Sequence, residues 1–487
     1  MRLRQLIEPL EDCQLYNFED FSVEGISCNS KEVFDNFIFV AVKGSNIDGH
    51  RFIQEAVEKG AKAVIVDSSR LSEYNSYRCC FIGVEDTHKA LVKLAVRFYG
   101  NESLPMKIVG VTGTNGKTTV TYLIEALLKE AGKNPGVIGT INYRFKDKVI
   151  ASKNTTPGPL ELQSLFADMR RERVDYTVME VSSHALAQDR VEGIDFHSAI
   201  FTNLTHDHLD YHKTTDNYFR AKARLFENLG QDAFVVINND DQYGRLIKNL
   251  SKREVITYGI ENHSDLMARN INFDISRTEF TLDTGKEKID FKTGLIGCYN
   301  IYNILAAAVF AFKEGFDLSL VKTAFEKFRF VPGRLERIDF NGDFSVFVDY
   351  AHTEDALRRV ISTLRQVVKN KIIVVFGCGG ERDKTKRPKM GYVVSELADC
   401  AIITNDNPRS EDPQEIIDDI KRGVTKDNYC VISDRLEAIR KSLSIAKSGD
   451  LVLIAGKGPE DYQVLKNGVI HFDDKEVVRE CLKSMNY

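Results

Sequence analysis

The stretch Lys107-Ile108-Val109-Gly110-Val111-Thr112-Gly113-Thr114-Asn115-Gly116-Lys117-Thr118-Thr119 constrains the fold more than any other part of the chain. An apolar run reads as a buried strand, a Gly-rich turn follows, and Val120 to Ala131 carry helical spacing. Strand, glycine turn and helix in that order build a phosphate cradle. Backbone N–H groups turn inward, the helix N-terminus adds partial positive charge, and Lys117 reaches the terminal phosphates. Thr118 can set its hydroxyl on a magnesium ion. Gly110 lies one residue too early for the strict G-x-x-x-x-G-K-[ST] spacing, so the tighter form from Gly113 to Thr118 is what remains.

The length, 487 residues, predicts roughly three domains at about 150 residues each. Residues 1–104 form a first unit, with strands at Phe37–Val42 and Ala63–Asp67 around a helix at Phe52–Lys59. Asn101–Pro105 reads as a linker. Residues 105–334 alternate strands (Tyr176–Val181, Ser198–Thr202, Ala233–Ile237) with helices and close at the turn Val331-Pro332-Gly333-Arg334. Residues 335–487 repeat the alternation, with strands at Phe344–Asp349, Lys371–Phe376, Cys400–Thr404 and Leu451–Ala455. Such alternation predicts an α/β chain of parallel sheets with ligands at strand C-termini.

A net charge of −5 argues against general nucleic-acid affinity. The nine cysteines contain no C-x-x-C pair and read as reduced thiols of a cytoplasmic protein. The N-terminus has no apolar signal region, and no apolar run approaches the ~18 residues of a membrane span.

Several strand ends carry chemistry. Glu180, in Val178-Met179-Glu180-Val181-Ser182-Ser183-His184, sits where a carboxylate can hold magnesium in a phosphate-loop fold. Asn203-Leu204-Thr205-His206-Asp207-His208-Leu209-Asp210-Tyr211-His212 is dense in ligand groups. Read alone it suggests a zinc hydrolase, although its last His falls one residue late for H-x-H-x-D-H. One His assisting a hard cation beside phosphates fits better. Lys222 lies in a helical stretch, where a lone Lys is ordinarily solvated. Asp349-Tyr350-Ala351-His352, Gly377 to Arg387, Asp406-Asn407-Pro408-Arg409 and Gly456-Lys457-Gly458 follow four strands. Together they predict a site for a charged, carboxylate-bearing ligand.

These motifs, with Ala221-Lys222, Asn300, Asn303 and Gly333-Arg334-Leu335-Glu336, resemble the Mur ligase family along essentially the whole chain. The resemblance implies three domains: one for a UDP moiety, a central ATPase, and a Rossmann-like domain for an incoming amino acid. It implies that Ser30, Ser45, Asn46 and Ile47 hold uridine, and that Asn154, Thr155, Thr156, Ser182, Gln188 and Arg190 hold the muramoyl-dipeptide end. Gly113, Thr114, Asn115, Gly116, Lys117, Thr118, Thr119, Asn300, Asn303, Arg334 and Asp349 would bind ATP. Thr118, Glu180 and His208 would bind Mg2+, and Lys117, Lys222 and His208 would be catalytic. Lys222 matches a family lysine that is carbamylated. Arg382, Asp406, Asn407, Pro408, Arg409, Gly456 and Glu460 would contact the amino acid.

The implied reaction is ATP-dependent addition of meso-diaminopimelate to UDP-N-acetylmuramoyl-L-Ala-D-Glu through an acyl phosphate, in peptidoglycan synthesis, by a cytoplasmic monomer. The Arg409 fork suits the second carboxylate of diaminopimelate, which L-lysine lacks. An L-lysine-adding ligase or a paralogue with an altered amino acid is the alternative. The chain departs from the family pattern at Asn29-Ser30-Lys31, at Glu354 where relatives have Pro, and at Pro459 where many have His.

Overall fold

The computed structural model describes residues 1–44, 47–205 and 207–487. Ser45, Asn46 and His206 therefore lie outside the described residues. Among the described residues, strands gather into a five-stranded, an eleven-stranded and a six-stranded sheet, with a two-stranded hairpin at Tyr462–His471.

The five-stranded sheet lies wholly within the first unit, with Ala61–Asp67 at its centre. The predicted helix there is shorter than its apolar pattern, Ile53–Glu58. In the central sheet, Lys107–Thr112 runs parallel between Tyr176–Glu180 and Ser198–Phe201. Tyr176–Glu180, Ser198–Phe201 and Phe234–Asn238 are buried at every position, as strands covered on both faces must be. That burial explains why they read in the sequence as continuous apolar runs rather than as alternation. The helix Lys117–Glu130 covers one face and shares its core with the helix Cys298–Lys313.

The expectation of parallel sheets holds for the centre and not for the edges. On one side Leu266–Phe273 joins Glu254–Gly259 in parallel, and Thr278–Asp283 and Lys288–Thr293 then continue the sheet antiparallel; Asn142–Phe145 and Lys148–Ala151 extend it antiparallel on the other. Asn142–Phe145 and Thr278–Asp283 alternate buried and half-buried residues, Lys288–Thr293 buries only Phe291 and Thr293, and Lys148–Ala151 is exposed throughout. Their polar positions hid them among loops when read from the sequence.

In the six-stranded sheet, Ser345–Asp349 lies beside Leu451–Ala455, then Ile372–Phe376, then Cys400–Ile403, all parallel. Four strand C-termini thus open on one edge. The first unit joins the central one through the helix Pro159–Arg171. Its Leu160 packs on the first unit's core, and its Gln163 carbonyl accepts from Asn101 Nδ2 at 2.7 Å. No helix among the described residues is long and apolar enough to cross a membrane.

At the end of the central sheet away from the phosphate loop, the buried carboxylate of Glu314 takes three donors. They are Lys107 Nζ at 2.7 Å, Tyr176 OH at 2.6 Å and His197 Nε2 at 2.5 Å. Burial opposes its ionisation, but these hydrogen bonds outweigh it and hold the carboxyl at about 2. A depressed folded-state value contributes stability above the unfolded value of roughly 4.3, and that stability is lost as pH falls from there toward 2. The contribution is on the order of 3 kcal/mol. Glu314→Gln is expected to lower the melting temperature at pH 7 and to flatten its fall between pH 5 and 2.5. An unchanged acid slope in thermal melts would refute the role.

Candidate active site

The phosphate loop is shaped by two glycines with positive φ, Gly113 at 149° and Gly116 at 89°. A Cβ on Gly113 would stand 1.9 Å from Thr202 Oγ1, and one on Gly116 would stand 2.3 Å from Asn303 Oδ1. The neighbouring strand end holds the loop by its backbone. Thr114 N donates to Asn203 O at 2.8 Å, Asn115 N donates to Asn203 Oδ1 at 3.1 Å, and Asn203 Nδ2 donates to Asn115 O at 3.1 Å. Lys117 folds back over the loop, donating to the carbonyls of Gly113 at 3.0 Å and Thr114 at 2.9 Å. Thr119 is buried in the helix's first turn.

Glu180 is 1% exposed. Its carboxylate accepts from Thr118 Oγ1 at 3.1 Å, Thr140 Oγ1 at 3.0 Å and Thr140 N at 2.8 Å. Thr140 was not singled out from the sequence. Its signal is Gly139-Thr140 just past the buried strand Pro135–Ile138, which pairs with Tyr176–Glu180. Hydroxyl and carboxylate oxygens side by side suit a hard divalent cation. His208 caps the short helix Leu209–His212 with φ 53°, and its ring lies 4.8 Å from that of His184. Among the described residues, no three His, Cys, Asp or Glu side chains gather to hold a metal.

Lys222 is the side chain that helical chemistry alone misjudges. It is 1% exposed rather than solvated. Its helix, Thr215–Glu227, buries Tyr218, Phe219, Leu225 and Phe226 on the same stripe, three and four residues either side of Lys222. Lys222 Nζ donates to Gly113 O at 2.8 Å and lies 4.8 Å from the Tyr218 ring centre. Burial, then the nearby Lys117 ammonium, push its pKa well below the ordinary lysine value. Burial lowers that of Lys117 too.

A second group runs away from Glu180. Thr156 Oγ1 donates to Glu180 O at 2.9 Å and accepts from Ser182 N at 3.0 Å. Arg190 donates to Thr156 O at 3.0 Å and to Gln188 Oε1 at 2.6 Å. Thr155 Oγ1 is 3.1 Å from Thr140 Oγ1, and Asn154 O accepts from Tyr143 OH at 2.7 Å. In the first unit, Ser30 Oγ donates to Glu55 Oε2 at 2.7 Å, and Ile47 is 58% exposed.

The turn at Val331–Arg334 links the central and last sheets. Arg334 reaches Thr118 Oγ1 at 3.5 Å and lies over the Tyr350 ring. Asn303 Nδ2 donates to Asn300 Oδ1 at 3.1 Å, beside Gly116. The carboxylate of Asp349 accepts from the amides of Leu335 and Ala351 at 2.6 and 2.8 Å, and burial raises its pKa. Gly333 abuts the next loop: a Cβ there would stand 2.2 Å from Gly458 C and from Pro459 N.

That loop and its neighbours form a third group. Asp406 Oδ1 accepts from Asn407 N at 2.7 Å, and Asp406 Oδ2 lies against Gly456. Asn407 Nδ2 donates to Glu460 Oε2 at 2.8 Å. The carbonyl of Pro408 lies against Gly380. Arg409 has φ 55°, and its guanidinium donates to Gly380 O at 2.7 Å. Non-glycine residues in this left-handed region concentrate at ligand sites. Arg382 is exposed on the adjoining loop.

Comparison with known proteins agrees with this arrangement. The family profiles described as Mur ligase family, catalytic domain; Mur ligase middle domain; and Mur ligase, glutamate ligase domain match residues 22–99, 111–311 and 333–458. The chain belongs to the Mur ligase family. A relative from Clostridium tetani is 45% identical over 488 residues and covers 100% of both chains. One from Halalkalibacterium halodurans is 41% identical and covers 99% of both. Both are named UDP-N-acetylmuramoyl-L-alanyl-D-glutamate--2,6-diaminopimelate ligase. A solved structure of that name is 32% identical over 96% of each chain, with a TM-score of 0.68. MurF ligase from Thermotoga maritima, solved in complex with ADP, shares the fold at 23% identity and a TM-score of 0.61, over 94% of this chain and 97% of its own.

Gly116→Ala should strain the loop twice, through φ and through the contact with Asn303. Alanine at a positive-φ site costs on the order of 1 kcal/mol before any clash. We expect ATP turnover to fall at least tenfold with the melting temperature lowered by only a few degrees. Wild-type turnover in a phosphate-release assay would refute this account of the loop.

Proposed function

We propose that the chain uses ATP and Mg2+ to join meso-diaminopimelate to the D-Glu γ-carboxylate of UDP-N-acetylmuramoyl-L-Ala-D-Glu. On this reading, residues 1–104 hold the UDP end, with Ser30 and the 45–47 loop on uridine. Residues 105–334 carry the phosphoryl transfer, and residues 335–487 carry the amino-acid pocket. The observation that carries the proposal is the convergence of Asn407, Arg409, Gly456 and Glu460 at strand C-termini next to a phosphate loop. The names of the full-length relatives and the ADP in a structural neighbour support it.

In the first step a γ-carboxylate oxygen attacks the terminal phosphorus of ATP. The bond to the bridging oxygen breaks, ADP leaves, and an acyl phosphate remains. Lys117 and the inward N–H groups of the loop stabilise the charge that develops there. Thr118, Glu180 and His208 would hold magnesium, which offsets phosphate charge when bound. Arg190, Gln188, Ser182 and Thr156 orient the carboxylate-bearing end. In the second step a neutral amine attacks the acyl carbon, and the tetrahedral intermediate loses a proton from nitrogen, expels phosphate and leaves an amide. No protein nucleophile takes part, so the residues act by alignment and charge neutralisation. The depressed pKa of Lys222 supplies neutral amine to carbon dioxide. An N–C bond forms, a proton leaves, and the cation becomes an anionic carbamate facing the phosphate loop. A UDP-linked substrate fits a cytoplasmic site of action.

The decisive experiment is phosphate release by the purified protein with ATP, Mg2+, UDP-N-acetylmuramoyl-L-Ala-D-Glu and a panel of amino acids. Release should require all components and favour meso-diaminopimelate over L-lysine by at least tens of fold. Arg409→Ala should abolish that preference and leave the KM of the UDP substrate within twofold. Equal or better turnover with L-lysine would overturn the specificity.

Lys117→Ala should lose on the order of 3 kcal/mol of transition-state stabilisation, about a hundredfold in kcat. Lys222→Ala should be nearly inactive and partly recover with added acetate or formate. Undiminished activity in Lys222→Ala would remove the carbamate from the scheme.

A further inference from the structure

Lys457 is completely buried, at 0% exposure, where lysines are almost never found unless paired. It stands between two glycines of positive φ, Gly456 at 120° and Gly458 at 53°. That turn directs its side chain beneath the loop instead of into solvent. Lys457 Nζ is 3.2 Å from Glu460 Oε2 and 3.4 Å from Asn407 Oδ1, and it also donates to the carbonyl of Tyr462. Asn407 Nδ2 donates to the same Glu460 oxygen at 2.8 Å, while Asn407 Oδ1 accepts from Val464 N at 2.9 Å. The amide and the carboxylate are each held in one orientation. The Asn407 oxygen faces only donors, and its nitrogen faces the carboxylate.

We propose that Lys457 is a positioning residue that sets amino-acid specificity by orienting Glu460 and neutralising its charge from below. The inference rests on the reading that Asn407, Arg409 and Glu460 line the amino-acid pocket. An unneutralised Glu460 would favour a side chain ending in an ammonium alone. Paired with Lys457, it still accepts a hydrogen bond from an ammonium but no longer repels a carboxylate at the same end. The pocket then suits an amino acid whose far end is zwitterionic and accepts a plain terminal amine less well. The sequence marks Lys457 only as part of a Gly-Lys-Gly turn, and its importance follows from the direction of its side chain.

The test compares kcat/KM for meso-diaminopimelate and L-lysine in wild type, Lys457→Met, Glu460→Gln and the double variant. Lys457→Met should lower the ratio of the two at least tenfold and raise the KM for diaminopimelate. The KM values for ATP and the UDP substrate should stay within twofold. In the Glu460→Gln background, Lys457→Met should change the ratio less than twofold, because the charge through which it acts is gone. An unchanged ratio, additive effects, or a common rise in all KM values would overturn the proposal, the last being what a purely structural lysine would give. If Lys457→Met does not fold, Lys457→Gln keeps an N–H donor without the charge and is judged by the same ratio. Failure of the ligase reading has a different readout, a wild-type protein releasing no phosphate with either amino acid, and would overturn both.

Discussion

Two ammonium groups, Lys117 Nζ and Lys222 Nζ, donate to one oxygen, the carbonyl of Gly113. Two like charges meet here in a buried space, and both are left with depressed pKa values. Such a meeting is stable only where an anion completes it or one amine gives up its proton. The glycine turn exists to offer that carbonyl, since any side chain at Gly113 would strike Thr202. The buried stripe of the helix Thr215–Glu227 exists to deliver the second amine. The strand order that sets Lys107–Thr112 between Glu180 and Thr202 is what lets carboxylate, loop and both lysines share one cleft.

The phosphate loop, the three parallel cores and the four loops of the last sheet were legible in the sequence because each rests on a local rule. Buried parallel strands are apolar runs, and glycines mark turns that a Cβ would block. The edge strands at 142–151 and 266–293 were not legible, because half-exposed strands carry polar residues that imitate loops. At Lys222 the periodicity was present, with Tyr218, Phe219, Leu225 and Phe226 flanking it, but a charged residue on that stripe contradicts the usual pattern. Thr140 and Lys457 escaped for another reason. Their partners, Glu180 and Glu460, are set by strand pairing and by backbone torsions, neither of which residue type reveals.

The departures from the family pattern find a physical setting. Asn29 caps the turn after it by accepting from Lys31 N at 3.1 Å, beside Ser30, whose hydroxyl is held by Glu55. Glu354 begins the helix Glu354–Val367, where a carboxylate complements the helix dipole, and lies 3.8 Å from Lys389. Pro459 lies against Gly333, and the turn still closes through Glu460 N donating to Lys457 O at 3.0 Å. The position without an N–H is not the one that closes the turn.

The meeting of Gly333 with Gly458 and Pro459 carries a consequence for how such an enzyme can diverge. On one side of it lies Arg334, which reaches Thr118 of the phosphate loop, and on the other Glu460, which pairs with Asn407 and Lys457. The contact between them is main chain to main chain. The span from the phosphate loop to the Asn407–Glu460 pair therefore behaves like the fixed jaw of a calliper, set by backbone and closed to adjustment by side chains. On the proposed reading, residues such as Arg382, Arg409 and Lys457 can be exchanged to suit a different amino acid while that gap keeps its width. New substrates can be learned without the chemistry having to be aligned again.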